Sequence, residues 1–433
     1  MGNDSIIAFR TREQLRKYLG IFSPQFKNSR WKMEFLGQMF FGIQAARDTL
    51  ISEIARSLQE DILAKKTQER LERHLATDGM DAKIHGSILC DAAPGMHNDT
   101  LIIVDPSDMQ KDYAEKMPYL AKVWDGSKGR VGDNLGYTLC MAIACGNGCR
   151  RIVPLMLRLW SSAHPEYVSE NDEVEQVIGQ IASTTNGKGI FVYDRGGDGD
   201  SMFRFYIAHG LDFIVRLVGN RYLLNWGGRT EKSKVLAVDL ARQCSLSYED
   251  SVFFKSHGKI RNIRVKYGSM PVRLPDWPGT DLHLVVVKWH GGEKPMMLLT
   301  TLNAVRTRKA LWEVVQGYLT RWRVEDTIRF IKQSYRLEHM RLLDYQRLKN
   351  MAALVVAVAY FAAAWLGKKV KLDALAKHVA KVSRKMFEVP EFFYYAIADG
   401  LMWLFVRHGK WRGWNCPRET RGDLQMEFEF LTG

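Results

Sequence analysis

At 433 residues the chain exceeds what one hydrophobic core usually organises, so two or three domains are expected. Its 46% hydrophobic and 25% charged residues exclude global disorder, collagen-like repeats and a small disulfide-stapled scaffold. Sixty-two Lys and Arg against 48 Asp and Glu give a net charge of +14, which favours a polyanionic partner, because each phosphate neutralised by a cation releases condensed counterions. Binding to acidic lipid is the rival class. The six cysteines are sparse and irregularly spaced, as in a reducing compartment, and disulfides are not expected. Cys145 and Cys149 lack a second close ligand pair, so the segment reads as strand plus turn rather than zinc site. The first residues hold no apolar run of signal-peptide length, and a cytoplasmic location is expected.

Residues from about 10 to 76 carry apolar side chains at three-to-four spacing, as at Leu50, Ile54, Leu58 and Ile62, with Arg and Lys on the other faces. This predicts a basic helical region over 1–86. From about Ile88 the pattern changes to short apolar runs. TLIIVD, GYTLCMAIAC and RIVPLMLRLW read as strands, NDEVEQVIGQIAS as a helix and GIFVYD as a strand, followed by the helix SMFRFYIAH and the strand LDFIVRLV. These form the first part of an α/β core over 87–218. The block 219–302, with VLAVDLA, GKIRNIRVKYG, LHLVVVKWHGG and PMMLLTTL, reads as a β-rich insertion. A long helix from about Lys309 to Tyr335 opens the second part of the core, 303–370, and a helical region fills 371–433. The run Met351 to Leu366 falls short of the roughly 20 residues that span a bilayer and reads as a buried helix. Lys368, Lys369 and Lys371 after it keep a peripheral-membrane alternative open.

The chemistry concentrates on the helix after Lys309. At about 100° per residue, Tyr318, Arg321, Glu325 and Lys332 fall within about 60° of one another, with Arg329 beside the stripe and Trp322 about 40° from Tyr318. A carboxylate flanked by cations along one face suits a solvated surface, but large aromatics on that sector do not, and Val324, Ile328 and Ile331 supply a separate core stripe. Asp105 and Asp194 each end an apolar strand, where an Asp often only caps a turn. With Glu325 they offer three hard oxygen ligands from separate elements, the requirement of one or two Mg²⁺ ions in phosphoryl transfer. Arg321, Arg329 and Lys332 then face the phosphates. Trp322 could accept a base that has left the stack, or simply pack in the core.

Other positions weigh less. His97 reads as a solvated loop residue, and Asp198 and Asp200 as part of a glycine-softened turn rather than a calcium loop. Lys259 and Arg261 would share one strand face and Arg264 and Lys266 the other, as edge protection or DNA contact. Trp289 beside a Val run reads as core.

The spacing Tyr318-x2-Arg321-x3-Glu325-x6-Lys332 resembles the Y-R-E-K signature of the bacterial DDE transposases of the insertion sequence four family. Asp105 followed by Ser107 looks like that family's first Asp-x-Thr/Ser element, and YDRGGD around Asp194 looks like its second Asp motif. The stretch between Asp194 and Glu325 resembles its insertion domain within an RNase H-like core, and the likeness covers roughly residues 90–370. Asp108 is a competing carboxylate near the first motif; Asp105 is preferred because it terminates the apolar run. The resemblance implies a DNA-binding helical N-terminal region and a cut-and-paste transposase of the nucleoid. It also implies dependence on Mg²⁺, with Mn²⁺ able to substitute. Asp105, Asp194 and Glu325 would be catalytic and metal-ligating. Tyr318, Arg321 and Lys332 would bind the transposon end, with Trp322 and Arg329 as further DNA contacts. Its implied partners are double-stranded DNA with terminal inverted repeats, target DNA and a second copy of the chain, with no membrane. A domesticated, non-catalytic DNA-binding protein would keep the basic surfaces without the cleavage.

Overall fold

The computed structural model describes residues 3–111, 114–125, 130–146, 152–225, 234–256, 259–292, 294–303, 307–366, 393–408, 411 and 413. Five helices come first: α1 (Asn3–Leu19), α2 (Arg30–Ala46), α3 (Ile51–Ser57), α4 (Ala64–Leu75) and α5 (Met80–Ala92). The expected change of pattern near Ile88 therefore comes later. Ile88 and Leu89 are buried in α5, and the first strand begins at Leu101.

The strands form one sheet. β1 (Leu101–Gln110) pairs in parallel with β5 (Ile190–Tyr193), which pairs in parallel with β6 (Asp212–Arg216). On its other side β1 runs antiparallel to β3 (Arg130–Cys145), which carries β2 (Ala121–Asp125) and β4 (Ile152–Trp160). Two helices lie between the strands in sequence. The first, α6 (Glu170–Thr185), follows β4; Ser169 caps it by accepting from the Asp172 amide, three carboxylates fill its first turn, and Asn186 ends it in the left-handed region. The second, α7 (Asp200–Ala208), joins β5 to β6.

The β-rich block is not a separate layer. Its last strand, β12 (Met296–Thr300), pairs with β6, and the sheet continues through β11 (Trp277–Trp289), β10 (Lys259–Leu274), β7 (Tyr222–Asn225) and β8 (Lys234–Leu236), with β9 (Tyr248–Ser256) also on β10. Within VLAVDLA the structure departs from the expected strand: after Leu236 the chain turns into α8 (Ala237–Gln243). Leu240 and Ala241 are buried there with Ala237, so three-to-four spacing decided the conformation over β-branching.

The helix expected over Lys309 to Tyr335 is two helices, α9 (Arg308–Leu319) and α10 (Trp322–Ser334). Thr320 back-bonds its hydroxyl to the Gln316 carbonyl at 2.8 Å. The following amides then reach only three residues back, Arg321 to Tyr318, Arg323 to Thr320 and Val324 to Arg321. This overwound turn shifts the phase of everything after it. Gly317 allows α9 to lie close on the sheet, since a Cβ there would stand 3.3 Å from both Ile214 and Leu101 side chains.

The apolar run Met351 to Leu366 forms α11 (Tyr345–Tyr360) and a π turn over Phe361–Trp365. Its most apolar stretch is long enough to pass for a membrane span but is 94% buried, against α5, α2 and β4. Lys368, Lys369 and Lys371 lie outside the described residues, as does Cys149. α12 (Phe393–His408) packs on α2 and α1. The helices before β1 and α12 therefore share a core with α11.

Asn350 ties this assembly together. Fully buried on α11, it donates to the Leu75 and Thr77 carbonyls at 2.7 and 2.8 Å and accepts from the Asp81 amide at 2.9 Å. Asn350→Ala leaves the buried Leu75 carbonyl without this donor, removes the bonds to Thr77 and Asp81, and should lower the unfolding free energy in chemical denaturation by about 3 kcal/mol.

Candidate active site

Asp105 does not end its strand. It lies mid-way along β1, at the point where pairing with β5 has stopped at Ile103 and pairing with β3 continues to Gln110. Pro106, with no amide hydrogen, is tolerated because one side of β1 is open there. Asp194 follows the last residue of β5, so both carboxylates stand at the same edge of the parallel pair. Asp194 Oδ1 accepts from the Gly196 amide at 2.8 Å, opening a tight turn in which a Cβ on Gly197 would come within 2.7 Å of the Tyr193 ring. Glu325 comes from the first turn of α10, which packs across β1 and β3.

Arg321 joins these elements. Its Nη1 donates to Asp105 Oδ1 at 3.0 Å and its Nη2 to Glu325 Oε1 at 2.6 Å, both as ion pairs. Burial alone would lower the guanidinium pKa, but Asp105, Tyr318 and Glu325 outweigh it and the net shift is upward. The carboxyl of Asp105 is pushed up to about 7. Burial is the largest cause and Arg321 opposes it, while the nearby charges of Asp194 and Glu325 add to the rise. Asp108 projects to the other face of the strand, three residues on, and only its main-chain oxygen and the rim of its carboxylate meet Lys332. Asp105 is thus the carboxylate that faces Glu325.

A cavity of about 410 Å³ opens from this point along α10. Asp105, Ser107 and Glu325 line one end, and Arg329, Lys332 and Glu338 continue it. Arg329 is largely exposed and pairs with Asp326 at 3.2 Å. Lys332 is pinned, donating to the Asp108 carbonyl and standing 3.7 Å from Glu338. Two expected residues sit elsewhere. Tyr318, near the end of α9, is only 5% exposed, so its ring offers no stacking surface. Trp322 is 37% exposed, with the Arg323 guanidinium 4.6 Å over its ring.

Several contributors were not read from the sequence. Gln333 and Glu338 line the cavity. Glu170, first residue of α6, has its carboxyl raised by desolvation and then by Asp194. Asp198 and Asp200 hold Arg221, and Asp198 Oδ2 accepts from the Val218 amide at 2.7 Å. That clamp fixes the turn after Asp194 to the segment between β6 and β7. The motif pairing Asp with a distant Arg has no sequence signal, because the partners are 23 residues apart. His97 is exposed and Trp289 packs on the core. Arg264 and Lys266 are exposed on one face of β10 with Lys288 across on β11, whereas the side chains of Lys259 and Arg261 lie outside the described residues.

Three carboxylates of hard oxygen chemistry suit a divalent cation, and Asp105, desolvated beside two like charges, needs positive charge. Among the described residues no three His, Cys, Asp or Glu side chains close on an ion, and Arg321 occupies the space between two of them.

The family described as transposase DDE domain matches residues 96–362. No curated protein matches the chain. Among solved structures, the chain is similar to a cryo-EM structure of piggyBac transposase synaptic complex with hairpin DNA. The match covers 99% of this chain and 85% of that one, with 12% identity and a TM-score of 0.42, a likeness too remote to carry an argument.

The folded protein holds a proton on Asp105 up to about pH 7, whereas an ordinary aspartate releases it near 3.8. The stabilisation from this group is therefore complete below about pH 4 and lost as pH rises through about 7. In chelator, the melting temperature of wild type should fall relative to that of Asp105→Asn between about pH 4 and about pH 7. Parallel profiles for the two proteins would exclude Asp105 as the titrating group.

Proposed function

The chain belongs to the transposase DDE domain family, and on that premise we propose that it cleaves transposon ends and joins them to target DNA by metal-dependent cut-and-paste transposition. The observation that carries the reading is the carboxylate pair Asp105 and Glu325, drawn together from β1 and α10 with Asp194 within electrostatic reach, at the head of a charged cavity. The strand order β4-β3-β1-β5-β6, with a parallel centre and antiparallel flank, supports an RNase H-like core. We read residues 219–302 as its insertion and the helices before β1 as the DNA-binding region. The spacing of Tyr318, Arg321, Glu325 and Lys332 supports membership of the Y-R-E-K group, and the +14 charge supports a nucleic-acid partner. A dimer on paired DNA ends, in the nucleoid, completes the proposal.

In this reading Asp105, Asp194 and Glu325 would hold one or two Mg²⁺ ions, with Mn²⁺ able to substitute. Such ions, when bound, supply Lewis-acid stabilisation of the entering and leaving oxygens of an in-line displacement. The chain's own groups do the rest. Asp105 gives up its proton to become a ligand, and the Asp198–Arg221 clamp holds the turn that carries Asp194. Arg329, exposed along the cavity, reaches phosphates beside the scissile bond, and Lys332 keeps α10 registered on β1. Tyr318, buried beside Arg321, supports that side chain rather than touching DNA.

Asp105→Asn, Asp194→Asn and Glu325→Gln should each reduce cleavage of an end-bearing duplex by more than about a thousandfold, about 4 kcal/mol of transition-state stabilisation. Binding of that duplex should persist and weaken log-linearly with salt. Wild-type cleavage in any one variant removes that residue from the triad. Trp322, 37% exposed at the start of α10, is assigned to hold a base displaced during second-strand cleavage. Trp322→Ala should preserve first-strand nicking and slow the second cut about 10- to 100-fold, as expected when a base–aromatic stack is lost. A parallel fall in both steps with a lowered melting temperature would make it a packing residue instead.

A further inference from the structure

Arg321 contacts both Asp105 Oδ1 and Glu325 Oε1, oxygens contributed by a strand and a helix 216 and 4 residues away in sequence. A guanidinium is always charged, and its fork fits two carboxylates at once. A divalent cation held by these carboxylates would draw on the same negative charge. The two cations would repel each other there, so each weakens the binding of the other. Moving Arg321 away without a new partner would leave a mostly buried cation unpaired, which is costly. A phosphate diester oxygen pair is a receiving anion of suitable shape, and Arg binds it with two parallel hydrogen bonds.

Resting on the transposase reading above, we propose that Arg321 is the resident counter-ion of the carboxylate site in the DNA-free protein and transfers to a DNA phosphate when an end docks, so that DNA and divalent metal each strengthen binding of the other. Arg321 is thereby a positioning residue that suppresses metal loading until substrate is present. By linkage the two effects are reciprocal and of equal factor.

The test is Mn²⁺ binding to the full-length protein, followed by calorimetry and by the electron paramagnetic resonance signal of free Mn²⁺, without activity as a readout. Arg321→Gln should bind Mn²⁺ at least about tenfold more tightly than wild type in the absence of DNA. Adding Asp105→Asn to Arg321→Gln should abolish the gain, which locates the gained site. A duplex made from the DNA flanking the gene should tighten Mn²⁺ binding to wild type by a similar factor and to Arg321→Gln scarcely at all. Should Arg321→Gln unfold, Arg321→Lys provides the measurement, since an ammonium reaches one carboxylate where the fork reaches two, and a smaller gain in affinity is expected. Unchanged or weaker Mn²⁺ binding in a folded Arg321 variant overturns the proposal. If that happens while Asp105→Asn and Glu325→Gln remain cleavage-dead, the transposase reading stands and only the exchange is wrong. If those carboxylate variants cleave like wild type, the site itself has been misassigned.

Discussion

Like charges gathered at the edge of a parallel strand pair repel each other, and partial burial removes the water that would screen them. That constraint organises the centre of this molecule. Asp105 sits where β1 leaves β5, Asp194 where β5 ends, and Glu325 arrives on α10, so that Asp105 feels both other carboxylates as well as its own desolvation. Arg321 answers with one guanidinium across two of them. It stands on the overwound turn between α9 and α10, three residues after the buried Tyr318 and one helical turn before Glu325. From there its guanidinium reaches Asp105 on the sheet and Glu325 on its own helix at once.

The rest of the fold delivers these groups and holds them. Gly317 lets α9 approach the sheet over Leu101 and Ile214, which sets the height at which Arg321 begins its reach. Lys332 fixes the far end of α10 to the outer half of β1, and Lys111 bonds the Glu338 and Met340 carbonyls just beyond it. The β-rich block leaves the core after β6 and returns to pair with that same strand through β12. Its departure is clamped by Arg221 to Asp198 and Asp200, and its far portion rests on α9 through Tyr267 and Trp312, 5.2 Å apart. A β-rich block anchored at both ends in this way extends the sheet that carries Asp105 and Asp194 instead of hanging from it.

The sequence revealed what has a period or a fixed spacing. Buried runs marked β1, β4, β5 and β6, and helical spacing marked α6 and the stripe at Val324, Ile328 and Ile331, all buried here. Glu325, Arg321 and Asp105 were legible as chemistry because charged residues at such positions need a reason. Other features were hidden because their cause is not local. The outer half of β1, PSDMQ, contains Pro and Asp and looks like a turn, yet antiparallel pairing to β3 keeps it extended. Thr320 gives no warning in a helical pattern, since a Thr that back-bonds its hydroxyl reads like any other. VLAVDLA is apolar enough for either conformation, and packing of Leu240 settled it. The clamp at Arg221 and the ties of Asn350 link residues far apart in the chain, where no spacing rule applies.

The carboxylates come from segments separated by nearly the whole core, so the site exists only when the sheet, α9 and α10 are all in place. A loop-borne cluster could gather and disperse by local fluctuation, but this one is fastened to β1, whose residues Leu101 to Val104 are fully buried. Such anchoring is needed because the cluster itself opposes folding: each added carboxylate raises the cost of ionising Asp105. The apolar run of α11 from Met351 onward, enclosed by the N-terminal helices and β4, supplies burial away from the carboxylate cluster. Stability is thus concentrated away from the cavity and spent near it, which leaves Arg321 as the element there with a charged alternative partner. The pairing that balances these carboxylates is therefore the one that, in the proposed exchange, a phosphate would undo.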